Sequence, residues 1–222
     1  LADRDEILPG EPLERVLRDR RITHATIPPS VLNGMLAPAL PELDVLVSAG
    51  EVCSADVMTR WAGPRRFFNA YGPTECSVCS ILRRCQPGEA RVPIGRPLNN
   101  VRVFIVDAAR RIVPVGWPGE IAIGGLAVGQ GYLHRPDLTE QRFVEIEPYG
   151  DGATERVYLS GDQGRYLFNG EVEFLGRQDT QIKLRGYRIE LGEVEVAFRE
   201  HRDVRDCAVV VQSGDGGLKR LV

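Results

Sequence analysis

Lysine is almost missing from this chain: Lys183 and Lys219 are the only two, and every other cation is an arginine. The signs nearly balance, with 28 basic and 31 acidic residues and a net charge of −3, so there is no electrostatic footprint for nucleic acid. The arginine skew reads as the trace of a GC-rich genome rather than a binding surface. No apolar run approaches the roughly 20 residues needed to cross a bilayer, and the N-terminus lacks a signal-peptide layout. The expectation is a cytoplasmic protein with no membrane segment. Histidine is scarce: His24, His134 and His201 lie far apart, share no motif, and read as packing or surface residues. Five cysteines, an odd number, argue against a disulfide framework. Cys76 and Cys79 have C-x-x-C spacing with Cys85 near, but no second pair and no neighbouring histidine completes four ligands. Residues 76–82 also read as a strand, on which positions three apart face opposite ways. These thiols are therefore read as buried or pocket-lining, not as a metal or redox centre.

What is present is 222 residues of ordinary globular composition, enough for one large domain or two small ones. The first half alternates helix and strand. Leu13, Val16 and Leu17 give helical spacing around residues 14–20, and residues 25–27 are extended. Pro28-Pro29-Ser30 opens a helix over 31–36, and residues 43–49 form a nearly continuous apolar run, as in a buried parallel strand. Ser54 caps a helix reaching Trp61, and Phe67-Phe68 lead onward. This rhythm predicts α/β layers with loops gathered at strand ends.

From Val101 the texture turns to β. Strands are predicted at 101–106, 112–113, 120–123, 156–159, 165–168 and 172–175, with Asn169-Gly170 marking a hairpin and Pro136 opening a helix over 136–143. Residues 124–131, with four glycines, look like a phosphate loop. They lack the strand–loop–helix pattern with lysine and are read as supplying permissive backbone angles. After Gly176 come short strands at 181–184 and 187–189. An amphipathic helix at 191–198 is expected to turn Glu193 and Glu195 outward and Val194 and Phe198 inward. A β-branched strand at 204–211 follows.

The most informative stretch is Asn69-Ala70-Tyr71-Gly72-Pro73-Thr74-Glu75. An aromatic face, a forced turn, a hydroxyl and a carboxylate are the parts a nucleotide-and-magnesium site needs. Downstream stand Tyr158-Leu159-Ser160-Gly161-Asp162 and the run from Gly176 through Arg177, Asp179, Lys183, Gly186 and Glu190 to Glu193. In this order the three segments resemble the adenylate-forming superfamily, specifically the amino-acid adenylation domains of nonribosomal peptide synthetases.

The resemblance implies the adenylate-forming α/β fold. Residues 1–178 would be the C-terminal part of the large subdomain, α/β layers plus a β-rich, barrel-like part. Residues 179–222 would begin the small, mobile α+β subdomain, with Asp179 as hinge. ATP and Mg²⁺ are the implied cofactors. Tyr71 would stack on adenine, Asn69 would bond its amino edge, and Gly72 would let the turn approach. Thr74 would contact phosphate, Glu75 would hold the metal, Asp162 would accept the ribose hydroxyls and Arg177 would add a contact. Lys183 lies in the segment implied to swing into the site for transfer to the phosphopantetheine thiol of a carrier protein. Matched pocket positions are Thr26, Val47, Ala49, Gly50, Ala70, Val78 and Cys79, a roomy apolar slot suited to tyrosine or phenylalanine. An MbtH-like protein is a further implied partner. The phosphate-holding lysine loop and the segment with the amino-group aspartate are not found. Lys219 does not match the context of the family's C-terminal lysine, so the chain is expected to be an internal piece. Alternatives are an aryl-acid or acyl-CoA ligase of the same superfamily, or a non-catalytic interaction module.

Overall fold

Three short segments lay down the first sheet, with burial alternating most clearly along the middle one. In the computed structural model, which describes residues 2–3, 5–37, 39–179, 181–184, 187–213 and 219–222 (side chains of Arg188, Ser213 and Lys219 excepted), β1 (His24–Ile27), β2 (Val45–Ala49) and β3 (Arg66–Tyr71) run parallel. β4 (Ile81–Cys85) and β5 (Arg96–Pro97) add antiparallel to give the order β1-β2-β3-β4-β5. One face carries Ile27, Leu46, Phe67 and Cys85, all buried in a common core with Leu17, Leu32, Met58 and Trp61. Those last four come from α1 (Glu11–Asp19), α2 (Pro29–Asn33) and α3 (Ala55–Trp61). The Ser54 hydroxyl caps α3 by accepting from Val57 N–H at 3.3 Å, as the sequence predicts. Trp61 Nε1 donates to the Leu32 carbonyl at 3.1 Å, so its one polar atom is satisfied inside the core.

The second sheet comprises β6 (Val101–Val106), β7 (Gly119–Gly125), β8 (Phe143–Ile146), β9 (Glu155–Tyr166) and β10 (Val172–Arg177), ordered β10-β9-β7-β6 with β8 also on β9. α4 (Pro136–Arg142) precedes β8. The strands expected at 156–159 and 165–168 are one 12-residue strand. Ser160-Gly161 reads as a turn but forms a bulge: Gly161 takes φ 73°, and the register against β7 slips between Glu120 and Ala122. The freed groups are satisfied locally, Ser160 Oγ donating to Ile121 O and Gly161 N–H to Glu120 Oε1, both at 2.7 Å. The Asn169-Gly170 hairpin forms as expected. The barrel-like expectation is corrected: among the described residues the sheet is open, and it meets the first sheet through Ile94, Gly95 and Val172.

Beyond Arg177 the pairing changes hands. β11 (Gln181–Leu184) pairs with β12 (Tyr187–Glu190), α5 (Leu191–Arg199) follows, and β13 (Val211–Ser213) pairs with β14 (Lys219–Leu221). Two expectations fail here. The strand predicted at 204–211 is confined to Val211–Ser213, paired with β14 and extended by bonds between Val210 and Val222. On α5, Glu195 turns inward to accept from Val209 N–H at 2.9 Å, while Phe198 is 55% exposed. Glu195 thereby satisfies a backbone N–H that lies just before β13 and outside its ladder.

Candidate functional site

All three parallel strands end on one side of the sheet, where open α/β sheets place ligand sites. β3 carries Asn69, Ala70 and Tyr71 to that end, so the first half of the motif is strand rather than loop. At Gly72 the chain doubles back: a Cβ there would lie 2.6 Å from Val78 O and 2.8 Å from Cys79 Cα, so only glycine fits. Thr74–Cys76 is a single 3₁₀ turn and the strand begins at Ile81, which corrects the strand expected from 76. Ser77 and Val78 both adopt positive φ, 57° and 72°, and it is this reversal that displaces the strand.

Asp162 is buried at the centre of the cluster. Its Oδ2 accepts from the Tyr71 hydroxyl at 2.5 Å and its Oδ1 from Arg177 Nη1 at 2.5 Å. Burial, then the neighbouring Asp162, push the Tyr71 phenol well above its ordinary value, so it remains a donor. Arg177 is shared: Nε and Nη2 fork onto both oxygens of Asp179 at 2.7 and 2.6 Å. Lys183, on β11, brings its ammonium 5.8 Å from the Tyr71 ring centre. Asn69 is buried and donates through Nδ2 to Pro93 O at 3.1 Å.

Glu75 stands apart from this carboxylate. Its Oε1 accepts from the Tyr132 hydroxyl at 2.6 Å, and Tyr132 lies 3.3 Å from the Tyr158 hydroxyl. Burial, and then the bond to Glu75, push the Tyr132 phenol up, which keeps it a donor. Thr74 is exposed beside it in the same turn. These are the oxygen donors Mg²⁺ takes, and a Mg²⁺ here would use one protein carboxylate plus phosphate oxygens.

The pocket positions gather on the sheet face opposite the helices. Thr26, Val47 and Phe68 are successive register partners, as are Ala49 and Ala70 one rung further along. Gly50 follows Ala49 at the strand end, and Val78 and Cys79 fold back over Gly72. Sequence reasoning missed Phe68, although its alternation with Ala70 marks the same face. It also missed Tyr132 and Ser160, whose carbonyl accepts from Arg177 at 3.3 Å. Tyr132 meets Glu75 across 57 positions, and no local signal announces such a contact.

The family described as AMP-binding enzymes matches residues 1–133. The chain is 46% identical to chondramide synthase cmdD of Chondromyces crocatus over 227 residues, covering 100% of this chain and 6% of that protein. It is 44% identical to bacitracin synthase 3 of Bacillus licheniformis over 215 residues, covering 97% of this chain and 3% of that protein. It thus spans a small fraction of both curated relatives. Among solved structures, holo-PA1221, an NRPS protein containing adenylation and PCP domains bound to a vinylsulfonamide inhibitor, superposes with a TM-score of 0.85 at 30% identity. That match covers 95% of this chain and 38% of that one.

Proposed function

The chain belongs to the AMP-binding enzymes and, within them, corresponds to part of a nonribosomal peptide synthetase adenylation domain; from that premise we propose that the protein containing it activates an amino acid as aminoacyl-AMP, with ATP and Mg²⁺, and passes it to a carrier-protein thiol. One observation carries the reading. Three motifs, the first 91 positions from the second at Tyr71 and Asp162, converge beside the end of β3, with Tyr71, Asp162, Arg177 and Lys183 in a single cluster.

In this reading Asn69 and Tyr71 receive the adenine. Asp162 accepts the ribose hydroxyls in exchange for the donors it holds here, a role an ionised carboxylate fills well. Thr74 faces the phosphates, and Lys183 belongs to the segment that swings in for the transfer step. Bound at Glu75, Mg²⁺ would neutralise the charge that develops on departing pyrophosphate. The substrate carboxylate oxygen forms a bond to the α-phosphorus as the bond to pyrophosphate breaks. In the second step a phosphopantetheine thiol attacks the acyl carbon and AMP leaves, and the adenylation–PCP arrangement of PA1221 supports a carrier partner. Residues 1–178 act as part of the large subdomain and 179–222 as the start of the mobile one, with Asp179 as hinge.

The substrate is aromatic, tyrosine or phenylalanine. Small Ala49 and Ala70 leave room, while Val47, Val78 and Cys79 keep the walls apolar. An MbtH-like protein is a further proposed partner. The test is ATP–pyrophosphate exchange by the full-length protein across a panel of amino and aryl acids. Mg²⁺-dependent exchange that is strongest with tyrosine or phenylalanine is expected. Exchange with aryl acids alone, or with no acid, overturns the proposal. Ala70→Trp is expected to abolish aromatic activation by filling the slot while sparing the thermal unfolding midpoint, and an equal loss of activity and stability would make Ala70 core instead.

A further inference from the structure

The glycine-rich residues 124–131 are the one motif the proposed site does not use, and their contacts converge on Glu75. Gly129 N–H donates to the Glu75 carbonyl at 2.8 Å, and Ser77 Oγ donates to the Ala127 carbonyl at 3.0 Å, so the loop grips the 3₁₀ turn at its middle and at its C-terminal cap. Tyr132, next along the chain, donates to the Glu75 carboxylate at 2.6 Å. The loop is itself fastened. Arg156 Nη1 and Nη2 donate to the carbonyls of Gly129 and Gln130 at 2.8 and 2.7 Å, and Tyr132 N–H donates to Thr139 Oγ1 at 2.9 Å. The Tyr132 ring meets Phe143 edge-on at 5.5 Å, and the Arg156 guanidinium covers that same Phe143 ring at 4.8 Å. A phosphate cradle turns its backbone N–H groups toward the anion. Here the N–H of Gly129 is spent on Glu75.

We propose that residues 124–132 are a brace that orients Glu75 for its cation, with Tyr132 as the positioning residue. This rests on the reading that Glu75 holds Mg²⁺. A half-buried carboxylate must give up its remaining rotamer freedom to coordinate a metal, and a charge-assisted hydrogen bond from a fixed phenol removes that freedom beforehand. Arg156 acts one step further out by holding the loop carbonyls.

The test titrates Mn²⁺, followed by electron paramagnetic resonance, into the full-length protein with ATP present. It compares wild type with Tyr132→Phe, Arg156→Met and Glu75→Gln, and measures the Mg²⁺ dependence of exchange alongside. Tyr132→Phe is expected to weaken Mn²⁺ binding about tenfold and to raise the Mg²⁺ needed for half-maximal exchange equally, with the amino-acid KM unchanged. Arg156→Met shifts both the same way by less. Wild-type Mn²⁺ affinity in Tyr132→Phe, with affinity lost in Glu75→Gln, overturns the brace alone. Wild-type affinity in Glu75→Gln overturns the assignment of Glu75 itself. Should Tyr132→Phe fail to fold, Arg156→Met decides, since it touches the loop and not Glu75: a weakened Mn²⁺ titration upholds the brace and an unchanged one overturns it.

Discussion

Val78 sits in a backbone conformation its side chain resists. It has φ 72°, follows Ser77 at φ 57°, and is spanned by a bond from Cys79 N–H to Ser77 O at 2.8 Å. A β-branched residue there stores strain of order 1–3 kcal/mol, and such strain concentrates at ligand sites. The side chain is 76% exposed, so deleting it removes little packing. Val78→Gly should therefore raise stability by about 1 kcal/mol after the extra chain entropy of glycine is subtracted. Urea unfolding should show a higher midpoint at unchanged slope, and a lower midpoint would mean that the Val78 side chain packs. Tyr71 makes a second residue-scale claim. Its hydroxyl serves the buried Asp162, so Tyr71→Phe should cost about 1.5–3 kcal/mol of stability without raising the ATP KM. A KM that rises in step with the stability lost would give the hydroxyl to the nucleotide instead. At this scale the sequence was legible wherever one residue type satisfies one backbone need. Ser54 capping α3 and Asn169-Gly170 turning the hairpin are such cases. It was illegible at 76–80, where two consecutive left-handed residues, neither a glycine, reverse the chain.

Elements were read well where apolar runs are strong and poorly where polar contacts intervene. β2, β6, β7 and α3 stand close to their predicted positions because the apolar signal is strong there, whereas β3 runs through Asn69-Ala70-Tyr71, where no strand was expected. β9 was split in the reading, since Ser160-Gly161 carries turn chemistry that the bulge uses without ending the strand. The seam between the sheets rests on Gly95, where φ is 105° and an added Cβ would lie 2.3 Å from Leu82 O and 2.6 Å from Arg83 Cβ. Gly150 also has positive φ, 69°, yet nothing lies within 4 Å of its virtual Cβ. Alanine at the two sites separates strain from collision. Gly150→Ala should cost about 1 kcal/mol, the backbone term alone. Gly95→Ala should cost at least about 3 kcal/mol, because main-chain atoms of β4 cannot step aside. Equal losses in chemical denaturation would show that the seam is soft.

At the scale of the molecule, Arg177 ties the buried carboxylate of Asp162 to the proposed hinge. The fork on Asp179 is backed by Gln181 N–H at 3.2 Å and by Arg142 at 3.8 Å. Burial pushes the Asp179 carboxyl up, but the Arg177 bonds outweigh it and leave the group below the usual carboxylate value. The folded state therefore binds this proton less readily than the unfolded chain does. The stabilisation is present above the ordinary carboxylate range and fades as pH falls through the lowered value. None of this was visible in the spacing Arg-x-Asp, which gave the two residues separate roles. If the small subdomain turns about Asp179 between half-reactions, that residue visits two backbone conformations while Arg177 lets go of one carboxylate. Proline at 179 would hold φ near −65° and restrict Gln178 as well, favouring one arrangement. In the full-length protein, Asp179→Pro is expected to slow carrier-thiol loading by roughly an order of magnitude more than ATP–pyrophosphate exchange. Asp179→Asn keeps the backbone free and loses only the ion pair, so it should leave the ratio of the two rates near wild type. Parallel loss of exchange and loading in Asp179→Pro would make residue 179 a structural support, and the rotation would then have to pivot elsewhere.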